Sequence, residues 1–143
     1  MNGKIALVIP VVLMLAACGT APVKLADAKA VPANRLYITD APTSNDGTAI
    51  VIRDTGFEGS GCGIMVSLDK KPAAMIGSGE KASFSVPAGP HILTAMPSNR
   101  GLCKLGHGRQ ARSLPFSAQA GVTTTFRVGV SAAGDPVFYQ SSL

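Results

Sequence analysis

Residues 122–130 read VTTTFRVGV, and their spacing decides the fold. Val122, Thr124, Phe126, Val128 and Val130 alternate with Thr123, Thr125, Arg127 and Gly129. A period of two sends alternate side chains to opposite faces of an extended chain. The segment therefore reads as a strand with one face on a core and one in water. The same period recurs upstream. Cys62, Ile64, Val66 and Leu68 alternate with Gly63, Met65, Ser67 and Asp69. Ala82, Phe84 and Val86 alternate with Lys81, Ser83 and Ser85. Residues 48–53, TAIVIR, are apolar on both parities, which suits a strand at the centre of a sheet. Further strands are expected over 35–39, 73–77, 91–96, 113–118 and 136–140.

Turn signals separate these runs: NDG at 45–47, DKKP at 69–72, PAGP at 87–90, QAG at 119–121 and AGDP at 133–136. After residue 34 no window sustains a long helical stripe. The expected fold is all-β, a single antiparallel β-sandwich of about eight short strands over residues 35–143. Its core should include Ile64, Val66, Phe84, Leu114, Phe116, Phe126 and Val128.

The N-terminus has a different grammar. Lys4 precedes an apolar run, 5–15, broken only by Pro10, and then comes Leu15-Ala16-Ala17-Cys18. Small residues before a cysteine at the end of such a run resemble the lipobox of bacterial lipoproteins. The resemblance implies that residues 1–17 are a cleaved signal peptide. It also implies that the Cys18 thiol and amine carry acyl chains such as palmitate, anchoring the protein to a membrane. The rival readings are a transmembrane helix, which needs about 20 apolar residues, and ordinary secretory cleavage at a small-residue site. Polar Gly19-Thr20 arrive too soon for the first, and the cysteine at the cleavage point argues against the second. Lipoproteins of that family destined for the outer membrane avoid Asp after the acylated cysteine. Gly19 there implies the outer membrane, lipid-anchored and facing the periplasm, with surface display as the other option.

Residues 18–34 comprise the acylated cysteine and the segment GTAPVKLADAKAVPAN, which carries no sustained period. It reads as a flexible tether with a reach of about 20 Å as a coil and about 50 Å at full stretch. A short helix over 23–30 is the competing reading. Without the signal peptide, 12 basic side chains face 8 acidic ones, a net charge of +4. Beyond Cys18 the cysteines are Cys62 and Cys103. Outside the cytoplasm such a pair most simply forms a disulfide, closing a loop of about 40 residues worth roughly 3–4 kcal/mol in the chain-entropy model. A free-thiol nucleophile near His107 is the rival, and no further triad pattern accompanies it.

Four pieces of the chain carry a second resemblance. They are LYI at 36–38, VSLDKKP at 66–72, FSVPAGPHIL at 84–93 and AGVTTTFRV at 120–128. In this order they resemble small bacterial lipoproteins with PEGA-like or transthyretin-like sandwich domains. The resemblance covers roughly residues 35–130 and implies a fold but no catalytic residues. Its sharpest piece, PAG-P-H, looks like a turn that needs Gly89 for positive φ and Pro87 for fixed φ.

Catalytic signatures are missing: there is no HExxH, GxSxG, CxxC or GK[ST] loop. The glycine-rich runs 77–81 and 59–63 read as turns rather than phosphate cradles. The acids are scattered, so a calcium site from Asp40, Asp46, Asp54 and Glu58 would need several loops to converge. His91 and His107 lie far apart, and no metal or other cofactor is expected. The charge is segregated, however. Residues 99–113, NRGLCKLGHGRQARS, hold Arg100, Lys104, Arg109 and Arg112, with His107 able to charge in mild acid, and no acid. This run is the candidate anion-binding surface, for an anionic envelope ligand or an acidic protein partner. The alternative is a solvated loop. Nucleic acid is not an expected partner.

These readings together predict a non-enzymatic cell-envelope lipoprotein acting as a binding or scaffolding module. An accessory subunit of an envelope secretion machine, a lysozyme-inhibitor-like protein and an unrecognised enzyme are the alternatives.

Overall fold

The computed structural model describes residues 20–56, 61–98, 103 and 110–140. The strands are β1 (Lys29–Ala30), β2 (Asp46–Arg53), β3 (Ile64–Leu68), β4 (Lys71–Ile76) and β5 (Glu80–Pro87). They continue with β6 (Gly89–Pro97), β7 (Arg112–Ala118), β8 (Thr123–Val130) and β9 (Pro136–Gln140). Sheet 1 has the order β1-β5-β2-β8-β9 and sheet 2 the order β4-β3-β6-β7. The two pack face to face as an all-β sandwich. Burial follows the expected parity: Ile64, Val66 and Leu68 turn inward from β3, and Ala82, Phe84 and Val86 from β5. Phe126 and Val128 from β8 meet them, and Leu114 and Phe116 pack against this core while half-buried.

Sheet 2 is antiparallel throughout. Sheet 1 departs from the expected all-antiparallel arrangement at two pairings. β2 runs parallel to β8, and β1 parallel to β5. Residues 54–122 lie between β2 and β8, ample length for the crossover a parallel pair requires. β2 thereby lies between β5 and β8, as its double-sided apolarity suggested.

Two expectations are corrected. Residues 35–39 form no strand. Ala33–Arg35 make a 3-10 turn, Leu36 bridges Ala74, and the Tyr37 and Ile38 N–H groups both reach the Ala73 carbonyl. This segment crosses from the edge of sheet 1 to the edge of sheet 2 instead of joining either as a strand. Nor are residues 20–34 a free tether. Ala21 pairs with Thr55, the Val23 N–H donates to Asp54 Oδ1, and Lys81 Nζ donates to the Leu25 carbonyl. The competing helix over 23–30 is a single turn, closed by Ala28 N–H on the Lys24 carbonyl. After it, Lys29 and Val31 extend along the edge of β5. Before β1 the segment lacks a period because it crosses strands, bonding to each in passing, rather than lying in register with one. Position 129 admits it: a Cβ there would come within 2.8 Å of Thr20 Oγ1, so only glycine leaves room.

The turns match their residues. Asp69 and Lys70 both have positive φ (48° and 69°) in the two-residue turn between β3 and β4, a geometry whose twist suits a hairpin. Gly89 has φ 134°, so the PAG turn uses its glycine as expected.

One end of the sandwich is heavily cross-linked. Cys62 and Cys103 form a disulfide with Cα atoms 5.7 Å apart, spanning 41 residues. Beside it, Arg53 points inward from β2 and is buried. Its Nη1 donates to the Cys62 carbonyl and, at 3.1 Å, to the Ile76 carbonyl, tying sheet 1 to the ends of β3 and β4. Desolvation lowers its pKa to about 10 against the opposing charge of Glu80, so it remains a cation at neutral pH. Arg35 holds Glu80 through two bonds of 2.9 and 2.7 Å.

Candidate interaction surface

The expected site residues fall in several places. Cys18, Arg100, Lys104, His107 and Arg109 lie outside the described residues. Cys103, within the same basic run, is bonded to Cys62, and Arg112 opens β7 with its side chain exposed. The Gln110 N–H donates to Asp135 Oδ1 at 3.3 Å, which sets Gln110 beside the β8–β9 turn. Of the acids considered for calcium, Glu58 is outside the described residues. Asp54 is taken by Arg127 and Val23, and Asp46 by Thr43 and Ser85, so the two serve separate networks. Among the described residues no group of three or more His, Cys, Asp or Glu side chains could hold a metal ion.

What the structure does assemble is the outer face of sheet 2. Inward parity at Ile64, Val66, Leu93 and Ala95 sends Met65, Ser67, Ile92, Thr94 and Met96 outward. Register then aligns them across strands. Met65 lies opposite Met75 on one side and Met96 on the other, so three methionines form one row across β4, β3 and β6. Every methionine after Cys18 is in that row. The next row is Ser67, Thr94 and Ser113, with Thr94 Oγ1 and Ser113 Oγ 2.9 Å apart. Ile92 then faces Pro115. Met96 is 47% and Ile92 49% exposed. None of these outward residues ionises. Unbranched, polarisable methionine adapts its shape to an apposed surface, and an exposed apolar patch of this kind marks interaction surfaces.

A shallow concavity of about 460 Å³ closes one end of this face, lined by Asp69, Pro90, His91, Ile92, Pro115 and Phe116. His91 stands opposite Phe116 across β6 and β7, and the Phe116 ring meets Phe126 edge-on at 4.8 Å. The imidazole is held on both sides. Nδ1 is 2.6 Å from Asp69 Oδ2 and Nε2 is 2.7 Å from the Pro87 carbonyl. Both partners only accept, so both ring nitrogens must donate, and the pair selects the imidazolium. Desolvation works against this charge, but the bonds to Asp69 and Pro87 outweigh it and raise the His91 pKa. Asp69 is lowered in turn, by its bond to His91 and by the Ile92 N–H at 2.8 Å. None of the six lining residues carries a hydroxyl or thiol. The His–Asp pair braces the β3–β4 turn against β6.

The sequence showed Met65 on a wet face but could not join it to Met75 and Met96. Those sit on other strands, and only the pairing register brings them together. The Asp69–His91 bond was equally hidden, since it depends on the hairpin turning at 69–70.

No protein-family model matches this chain, and no curated protein does. The chain is similar to a protein from Eubacterium rectale solved by NMR, at 14% identity and a TM-score of 0.43, over 73% of this chain and 98% of that one.

Proposed function

We propose that this protein is a non-enzymatic cell-envelope lipoprotein, anchored through Cys18 and facing the periplasm, that binds a partner protein with the outer face of sheet 2. The observation that carries the binding surface is the row Met75, Met65 and Met96, continued by Ile92 and Pro115, on a face with no ionisable side chain in its centre. Isolated exposed apolar residues are ordinary. Aligned ones on a rigid sheet lose little entropy when covered and bury area together, which favours a protein partner over a small polar ligand. The anchor rests on the lipobox-like run at 15–18 and the compartment on Gly19.

The test is site-specific photo-crosslinking in cells, with the reactive group at Met96 or Ile92 on sheet 2 and at Ser83 on sheet 1. The expected result is one and the same envelope protein joined from Met96 and from Ile92, and not from Ser83. A triple substitution M65Q/M75Q/M96Q made alongside the Ile92 probe should abolish that product while leaving the thermal midpoint nearly unchanged. Equal yields from both sheets, or yields indifferent to the triple substitution, refute the assignment.

A further inference from the structure

The path of residues 20–31 has a consequence for how an anchored domain would sit. Thr20 lies over Gly129 and next to the Tyr139 ring, on the outer face of sheet 1. Ala21, Val23 and Leu25 then bond to Thr55, Asp54 and Lys81, carrying the chain across that face. Between Cys18 and Thr20 there is one residue, Gly19. Two residue steps span at most about 7 Å. The polar layer of a bilayer is itself only about 5–8 Å deep on each side of the hydrocarbon. An acylated Cys18 has its chains in the hydrocarbon, so Thr20 cannot stand clear of the headgroups.

We infer that the outer face of sheet 1, at Thr20, Leu25 and Tyr139, rests directly on the bilayer surface, with no spacer between lipid and domain. The inference depends on the acylation of Cys18 proposed above. The exposed side chains suit the position. Leu25 is 37% and Tyr139 43% exposed, and Lys24 beside Leu25 is exposed as well. Tyrosine has an apolar ring and a polar tip and favours the membrane interface. Lysine is drawn to anionic headgroups there. Because the outer faces of a sandwich point in opposite directions, the methionine row of sheet 2 is turned away from the lipid and toward the compartment.

The chain contains no tryptophan. The substitutions L25W, Y139W and I92W therefore each introduce a single emitter at an exposed position. Each full-length variant, purified from membranes, is reconstituted in vesicles of equal parts brominated phosphatidylcholine and phosphatidylglycerol, and its intact mass is recorded. The expected result is an acylated protein in which indole emission is quenched severalfold in the L25W and Y139W variants and keeps its intensity in I92W. Acylated variants that are all equally bright overturn the seating but leave the anchor intact. A mass without acyl chains overturns both. Inserting a long glycine–serine linker between Gly19 and Thr20 should restore emission in L25W and Y139W. Quenching that survives the linker overturns the claim that the short connection seats the domain.

Discussion

Ile52 and Ile92 are the same residue type at equivalent positions, one in the outward row of each sheet. Ile52 lies between Lys81 and Arg127 on sheet 1 and is 2% exposed. Ile92 lies beside Pro115 on sheet 2 and is half exposed. The difference is the segment that bonds Thr55, Asp54 and Lys81, which crosses sheet 1 beside Ile52. Side-chain parity decides which way a residue points. Whether it meets water depends on what else the chain lays over it. Ile52 is thereby part of what holds the fold together, whereas Ile92 stays in contact with water.

The sharpest way to break this contrast is to truncate both isoleucines. Ile52→Ala should cost about 3 kcal/mol, in the range for buried aliphatic deletions. Ile92→Ala should stay within about 0.5 kcal/mol, as exposed substitutions do. Urea denaturation measures both, and equal losses would mean that residues 20–28 do not shield sheet 1 in solution. Next in size is Asp54→Ala. The Asp54 carboxylate is buried, accepts from Arg127 Nε at 3.2 Å and from Nη2, and receives the Val23 N–H. Removing it leaves a largely desolvated guanidinium and unpins the covering segment, at about 2–3 kcal/mol, the figure reduced because Arg127 keeps some contact with water. Hydrogen exchange should accelerate at Val23 and Ala21 in this variant. Unchanged protection there would show that the ion pair does not hold the segment.

The smallest expected effect concerns pH at the sheet 2 end. The His91 pKa is raised from 6.5, so its contribution is complete below about 6.5 and fades as pH rises through the higher folded value. The Asp69 pKa is lowered from 3.8, so its contribution is complete above that value and fades as pH falls through the lower folded one. The pair is strongest between these limits. The stability difference between wild type and His91→Gln should be greatest near pH 5 and shrink toward pH 8. It should amount to a fraction of a kcal/mol, since the Asp69 side chain is nearly half exposed and solvent-screened. Parallel stability curves from pH 5 to 8 would mean that folding leaves the His91 pKa unshifted, against the bonded imidazolium.

Local chemistry was legible in the sequence wherever a rule acts within one strand or one turn. The two-residue period located β3, β5 and β8, Gly89 announced its positive φ, and the double-sided apolarity of 48–53 marked a central strand. The compartment argument paired Cys62 with Cys103. What stayed hidden depends on contacts between distant segments. The parallel partnership of β2 and β8 leaves no trace in either strand's alternation. Residues 36–38 have strand-like side chains, yet their N–H groups are spent on crossing between sheets. Residues 20–34 look like a linker because their partners, Asp54, Thr55 and Lys81, lie far along the chain.

The parallel pairing also bears on the order in which the molecule can assemble. β2 is complete by residue 53, but its neighbour in the middle of sheet 1 begins only at residue 123. Sheet 2 can assemble first, since β3, β4 and β6 all lie within residues 64–97 and its last strand, β7, ends at residue 118. Sheet 1 must wait until nearly the whole chain has been made, and closing so long a loop slows the step. Until then β2 carries an open apolar edge, the kind of surface that pairs with other chains. A chain shortened before residue 123 would keep all of sheet 2 and still be left with its most apolar strand half unpaired.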